Sequence, residues 1–118
     1  MAHSHEVIEE LKIPTRELRR AIPEVWSGFS ALHDAAVGDG VLSGAMKELV
    51  ALAIAVVKQC DGCIAYHARA AAKKGASRAE VAEVLGVALL MDGGTASVYG
   101  PRAFSAFDEF AAEGDDTA

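Results

Sequence analysis

A chain of 118 residues has room for one domain, and its 52% hydrophobic content, much of it alanine, suffices for a core of closely packed helices. Seventeen acidic against eleven basic residues give a net charge of −6 and leave no basic stripe for a phosphate backbone or an anionic bilayer. The polar start Met1-Ala2-His3-Ser4-His5-Glu6 does not read as a signal peptide, and the longest apolar run, Leu49 to Val57, is nine residues where a membrane span needs about 20. A soluble, cytoplasmic protein is therefore expected, a setting in which a cysteine pair points to metal or redox chemistry rather than to a structural staple.

Proline and glycine divide the chain into about six helices, and no segment has the alternation of a strand. Pro14 suits the first turn of a helix over Thr15 to Ala21, after a disordered start that contains His3 and His5. Pro23 opens a second helix over Glu24 to Val37, with Val25, Trp26, Phe29, Leu32 and His33 at helical spacing. Gly38-Asp39-Gly40 breaks it, and Ser43 caps a third helix running to about Gln59. Asp61 is read as the cap of a fourth helix that ends at Lys73-Lys74-Gly75, where cations followed by glycine mark a C-terminus. Ser77-Arg78-Ala79-Glu80 forms a capping box for a fifth helix to about Met91. Gly93-Gly94 stops it, and a last helix runs to about Ala112 with a kink expected at Gly100-Pro101. Residues 113–118 are expected to fray. The segment Met46 to Val57 is apolar almost all round, which predicts the central, buried helix of an oligomer.

Cys60 and Cys63 straddle the start of the fourth helix, so one turn brings their sulfurs within bonding reach. Unpaired N–H groups at that helix start favour a thiolate. His67 follows Cys63 by four residues and shares its face, which places a titratable base beside a thiol. Glu48 sits on the apolar third helix, where a carboxylate is costly unless it is paired or functional; a first-turn acid facing solvent is the plainer reading.

Glu48, eleven residues, and then Cys60-Asp61-Gly62-Cys63-Ile64-Ala65-Tyr66-His67 resemble the signature of the AhpD-like, carboxymuconolactone decarboxylase-type superfamily. Lys47-Glu48-Leu49-Val50-Ala51-Leu52 and the Gly93-Gly94 break add to the resemblance, which spans about residues 43–95 and extends more weakly to Phe110. It implies an all-α, AhpD-like helical bundle over residues 1–118, assembled as a homo-trimer or hexamer. It also implies a thiol-dependent oxidoreductase that reduces hydroperoxides or a partner disulfide. Cys63 would be the attacking thiol that passes through a sulfenic acid, and Cys60 would donate a proton and close the disulfide. Glu48 and His67 would complete a proton relay. No metal, flavin or other cofactor is required, and an external dithiol of dihydrolipoyl or thioredoxin type would restore the thiols. The family's best-characterised peroxidase carries a histidine where this chain has Gly62, which implies a simpler relay and a different substrate. The decarboxylase branch lacks the cysteine pair, so decarboxylation is not expected.

Two other readings use the same residues. Cys60, Cys63, His67 and Glu48 supply a donor set for tetrahedral zinc, although only one of the two usual ligand pairs is present. A non-enzymatic helical interaction module with buried cysteines is the second. Covalent haem would need a histidine directly after Cys63, where Ile64 stands, and a thioredoxin fold would need a strand before the pair. Tyr66 is read as lining or covering the site. Trp26, Phe29, Phe104, Phe107 and Phe110 are read as core or subunit interface, His33 as packed or surface, and Lys73 and Lys74 as a helix end.

Overall fold

The computed structural model describes residues 2–117, with side chains through Glu113. Among them are six α-helices and no strand: α1 His3–Ala21, α2 Pro23–Val37, α3 Gly44–Lys58, α4 Asp61–Lys73, α5 Arg78–Asp92 and α6 Ala96–Thr117, with a 3-10 turn at Gly93–Thr95. The all-helical expectation holds. The expected frayed tail falls largely on residues 114–118, whose side chains lie outside the description.

The first helix is longer than its sequence suggests. It begins at His3, twelve residues before Thr15, and Pro14 lies inside it. Two facts outweigh the proline. Ser4, Ile8, Leu11 and Thr15 recur at helical spacing as the less exposed stripe. In addition, the Glu109 carboxylate of α6 accepts the backbone N–H groups of Ser4 and His5, both at 3.2 Å, and so supplies a cap from the far end of the chain. The histidine-containing start is therefore ordered, not disordered: His5 bonds Glu109 and Glu113 and stacks on Phe110.

Local signals fix α3 to α5 as expected. The Ser43 hydroxyl accepts from Met46 N–H, and Ser77 and Glu80 form the reciprocal capping box. At the end of α3, Gln59 adopts φ 56°, while Gln59 N–H bonds Val56 and Cys60 N–H bonds Ala55. This Schellman turn delivers Cys60 directly to the start of α4. Gly75, at φ 90°, ends α4 in the same way.

The central helix is α4, not α3. Ile64, Ala65, Ala68 and Ala71 of α4 are buried, and the alanines let α1, α3 and α6 approach closely. Helix α3 turns Glu48, Leu49, Leu52, Ala55 and Val56 inward, but Met46, Val50, Ile54 and Val57 remain exposed. An all-round apolar helix has two faces to cover, and this chain covers one. Phe107 and Phe110 belong to the core and Phe104 packs against it, whereas α2 has no buried residue and Phe29 is exposed.

Residues Arg78–Glu113 are, by length and composition alone, apolar enough to cross a membrane. The chain folds back within that stretch. Gly93, at φ 70°, reverses its direction, so Arg78 at the start of α5 meets Asp108 of α6 at 2.9 Å and lies over the Phe104 ring. Gly100-Pro101 lies within α6, which continues through it.

Candidate functional site: a dithiol beside a buried carboxylate

Cys60 and Cys63 are joined as a disulfide, with Cα atoms 5.2 Å apart. Cys60, rather than Asp61, is the N-cap of α4: its Sγ accepts the Cys63 N–H at 3.2 Å. Both sulfurs thus lie at a helix N-terminus, where unpaired N–H groups favour negative charge. Cys63 is exposed and Cys60 half-buried. Asp61, released from capping, lies 3.4 Å from His3 of α1 and 3.6 Å from Arg102 of α6. These partly exposed pairs add little energy singly, but they hold the cysteine turn between two helices.

Gly62 faces α1. A Cβ placed there would stand 3.4 Å from Leu11 Cδ1, an ordinary contact for a methyl group.

Glu48 and His67 are brought together. The Glu48 side chain is only 1% exposed, and its Oε1 lies 2.6 Å from His67 Nδ1. Its other oxygen accepts from Lys74 Nζ at 3.1 Å. Burial pushes the Glu48 carboxyl up, but the hydrogen bonds from His67 and Lys74 outweigh it and hold the group below its ordinary value. The solvent-facing first-turn reading of Glu48 is therefore overturned. With Nδ1 engaged, His67 has Nε2 left for other chemistry. Among the described residues no hydrogen bond joins His67 to either sulfur; helical spacing puts it one turn from Cys63.

From the sequence, Lys74 reads only as a helix end. It lies seven residues after His67, two turns along the same face, and that spacing was the available signal. His33 likewise comes near the site, with its ring centroid 6.3 Å from that of His67. Tyr66 packs partly buried against the core under the Arg69 guanidinium. The zinc set does not assemble: among the described residues no three His, Cys, Asp or Glu side chains converge for a metal ion. The sulfurs are bonded to each other, and Glu48 is taken by His67 and Lys74.

This architecture defines a class of all-helical proteins with a Cys-x-x-Cys turn set against a buried carboxylate–imidazole pair. The sequence pattern of the carboxymuconolactone decarboxylase family matches residues 23–109, and the chain belongs to that family. An uncharacterised protein of Cupriavidus necator is 41% identical over 91 residues, covering 77% of this chain and 80% of its own length. An uncharacterised protein of the cox locus of Paracoccus denitrificans is 34% identical over 93 residues, with coverage of 79% and 84%. Among solved structures, a carboxymuconolactone decarboxylase family protein of Legionella pneumophila superposes with a TM-score of 0.91 at 39% identity, covering 94% of this chain and 99% of that one. A Thermotoga maritima member of the family, for which a part in the antioxidative response has been suggested, gives a TM-score of 0.80 at 27% identity, covering 95% of each chain.

Proposed function

We propose that the protein is a thiol-dependent oxidoreductase that reduces a hydroperoxide, or a partner's disulfide, through a Cys60/Cys63 dithiol–disulfide cycle. The observation that carries this reading is the Cys60–Cys63 bond across the start of α4, with Cys63 on the exposed side. In the reduced state, His67 accepts the Cys63 proton at Nε2, while Glu48 at Nδ1 orients the ring. The thiolate attacks the distal oxygen of the hydroperoxide, the O–O bond breaks, and His67 protonates the departing alkoxide to give an alcohol. Cys63 is left as a sulfenic acid. The Cys60 thiol condenses with it, forming the S–S bond and releasing water. An external dithiol, dihydrolipoyl or thioredoxin-like, attacks the disulfide and leaves oxidised itself. The cycle requires a reducing compartment such as the cytoplasm.

A homo-trimer or hexamer accompanies this proposal. Its support is the apolar surface left on three helices: Val25, Phe29 and Leu32 of α2, the α3 stripe, and Leu90 and Met91 of α5.

The test is hydroperoxide consumption by the reduced protein with each dithiol donor, repeated for Cys63→Ser and Cys60→Ser. Loss in Cys63→Ser supports the assignment of the nucleophile. Full activity in that variant contradicts it, and turnover only with a disulfide substrate identifies a partner's disulfide as the oxidant.

A further inference from the structure

Glu48 sets a condition on His67. A carboxylate buried this deeply must be compensated by a cation, because an unpaired charge away from water is strongly unfavourable. If His67 were the only cation, the carboxylate would stand uncompensated whenever the ring is neutral, which is the form with a lone pair to take a thiol proton. The second carboxylate oxygen meets this condition. Lys74 Nζ lies 3.1 Å from Oε2 and also donates to the Val37 carbonyl at the end of α2, 3.2 Å away. Its stem packs near Gly44, where an added Cβ would meet Lys74 Cδ at 3.3 Å. The ammonium is thus held by groups from α2 and α3, although part of the side chain remains exposed.

We infer that Lys74 is a positioning residue for the dithiol cycle: it is the standing counter-ion of Glu48, which keeps the buried carboxylate compensated while His67 takes and returns a proton. The inference rests on the Cys63–His67 relay proposed above.

Other charged or titratable groups face this cluster. From α2 come His33, 6.3 Å from the His67 ring, and its neighbour Asp34. Asp39 accepts the Gly44 N–H, Lys47 donates to the Gly38 carbonyl, and the two cysteines lie on α4. His33 is the group most able to imitate a His67 response, so His33→Gln is the control background.

The experiment is an NMR titration of the His67 ring in the reduced full-length protein, in wild type, Lys74→Met and Lys74→Arg, each with and without His33→Gln. Without the ammonium, Glu48 binds the imidazolium more tightly, so in Lys74→Met the His67 midpoint rises by about one pH unit, a tenfold change in proton affinity. Lys74→Arg restores the wild-type midpoint, and the shift persists in His33→Gln. An unmoved or lowered midpoint in Lys74→Met overturns the inference, as does a Lys74→Arg protein that behaves like Lys74→Met. If Lys74→Met does not fold, the carboxyl-carbon resonance of Glu48 in wild type decides: ionisation on both sides of the His67 transition supports the counter-ion, and a protonated Glu48 on either side refutes it. These readouts need no turnover, so a protein that shows them yet reacts with neither hydroperoxide nor disulfide refutes the dithiol cycle and leaves the counter-ion in place.

Discussion

Replacing Glu48 with glutamine keeps the shape of the side chain and removes its charge. The wild-type carboxylate receives two charge-assisted hydrogen bonds, from His67 and Lys74, each worth about 1.5–3 kcal/mol. Glutamine can keep its oxygen on Lys74 and turn its NH2 group to His67 Nδ1, which accepts in the other tautomer, but both contacts lose their charge-assisted strength, together roughly one bond's worth. The desolvation cost of the buried charge disappears at the same time and offsets part of that loss. His67 and Lys74 are both partly exposed and can recover water. A net destabilisation of about 2 kcal/mol results, equivalent to a Tm about 6–12 °C lower for a chain of this size. Thermal unfolding followed by circular dichroism is the assay. Because the folded state holds the Glu48 carboxyl below its ordinary value, its contribution is present above the ordinary carboxylate range and is lost as pH falls through the lowered value. The gap between wild type and Glu48→Gln therefore closes in acid. A Tm within about 2 °C of wild type at neutral pH, or a gap that widens on acidification, refutes the reasoning.

Three further outcomes follow from the same geometry. The hydrogen bonds that the His5 ring donates to Glu113 and Glu109 raise its pKa, so its contribution is complete below its ordinary value and fades as pH rises through the raised one. Hydrogen exchange in α1 should therefore quicken with pH beyond its intrinsic rate, and His5→Gln should remove most of that dependence; the pair is half-exposed, which limits the effect to under about 1 kcal/mol. Gln59→Gly relieves a left-handed residue at the α3–α4 turn and should stabilise the fold by up to about 1 kcal/mol in urea unfolding, where a clear loss would contradict the assigned turn. If the proposed trimer or hexamer is sealed by the exposed α3 stripe, wild type sediments as an oligomer and Ile54→Glu as a monomer with helicity unchanged, whereas a monomeric wild type or an unaffected assembly contradicts that interface.

What the sequence made legible was what its neighbours along the chain decide. The limits of α3, α4 and α5 follow from Ser43, Gly75, Ser77 with Glu80, and Gly93, all of which act within a few residues of the helix end. The start of α1 was hidden because its cap is Glu109, more than 100 residues away, while Pro14 offered a false local start. For α3, hydrophobicity shows that its faces favour burial without showing what covers each; within this chain one face is covered and Met46, Val50, Ile54 and Val57 are exposed. Within the site, Cys60, Cys63 and His67 stood out by spacing, and Glu48 by its cost on an apolar helix and by the family pattern. Lys74 did not, because a lysine before a terminal glycine already has a sufficient local explanation. Its second role appears only once α3 brings Glu48 against α4.

The central claim is that Cys63 is oxidised first and Cys60 resolves it. Mass spectrometry after a single addition of hydroperoxide to pre-reduced Cys60→Ser tests this most directly, with a sulfenic-acid trapping reagent present. One trapping-reagent adduct on Cys63 is expected, formed from its sulfenic acid with loss of water, while wild type treated identically loses two hydrogens to the Cys60–Cys63 disulfide. A Cys60→Ser protein that stays reduced while wild type oxidises at full rate would make Cys60 the nucleophile and contradict the account.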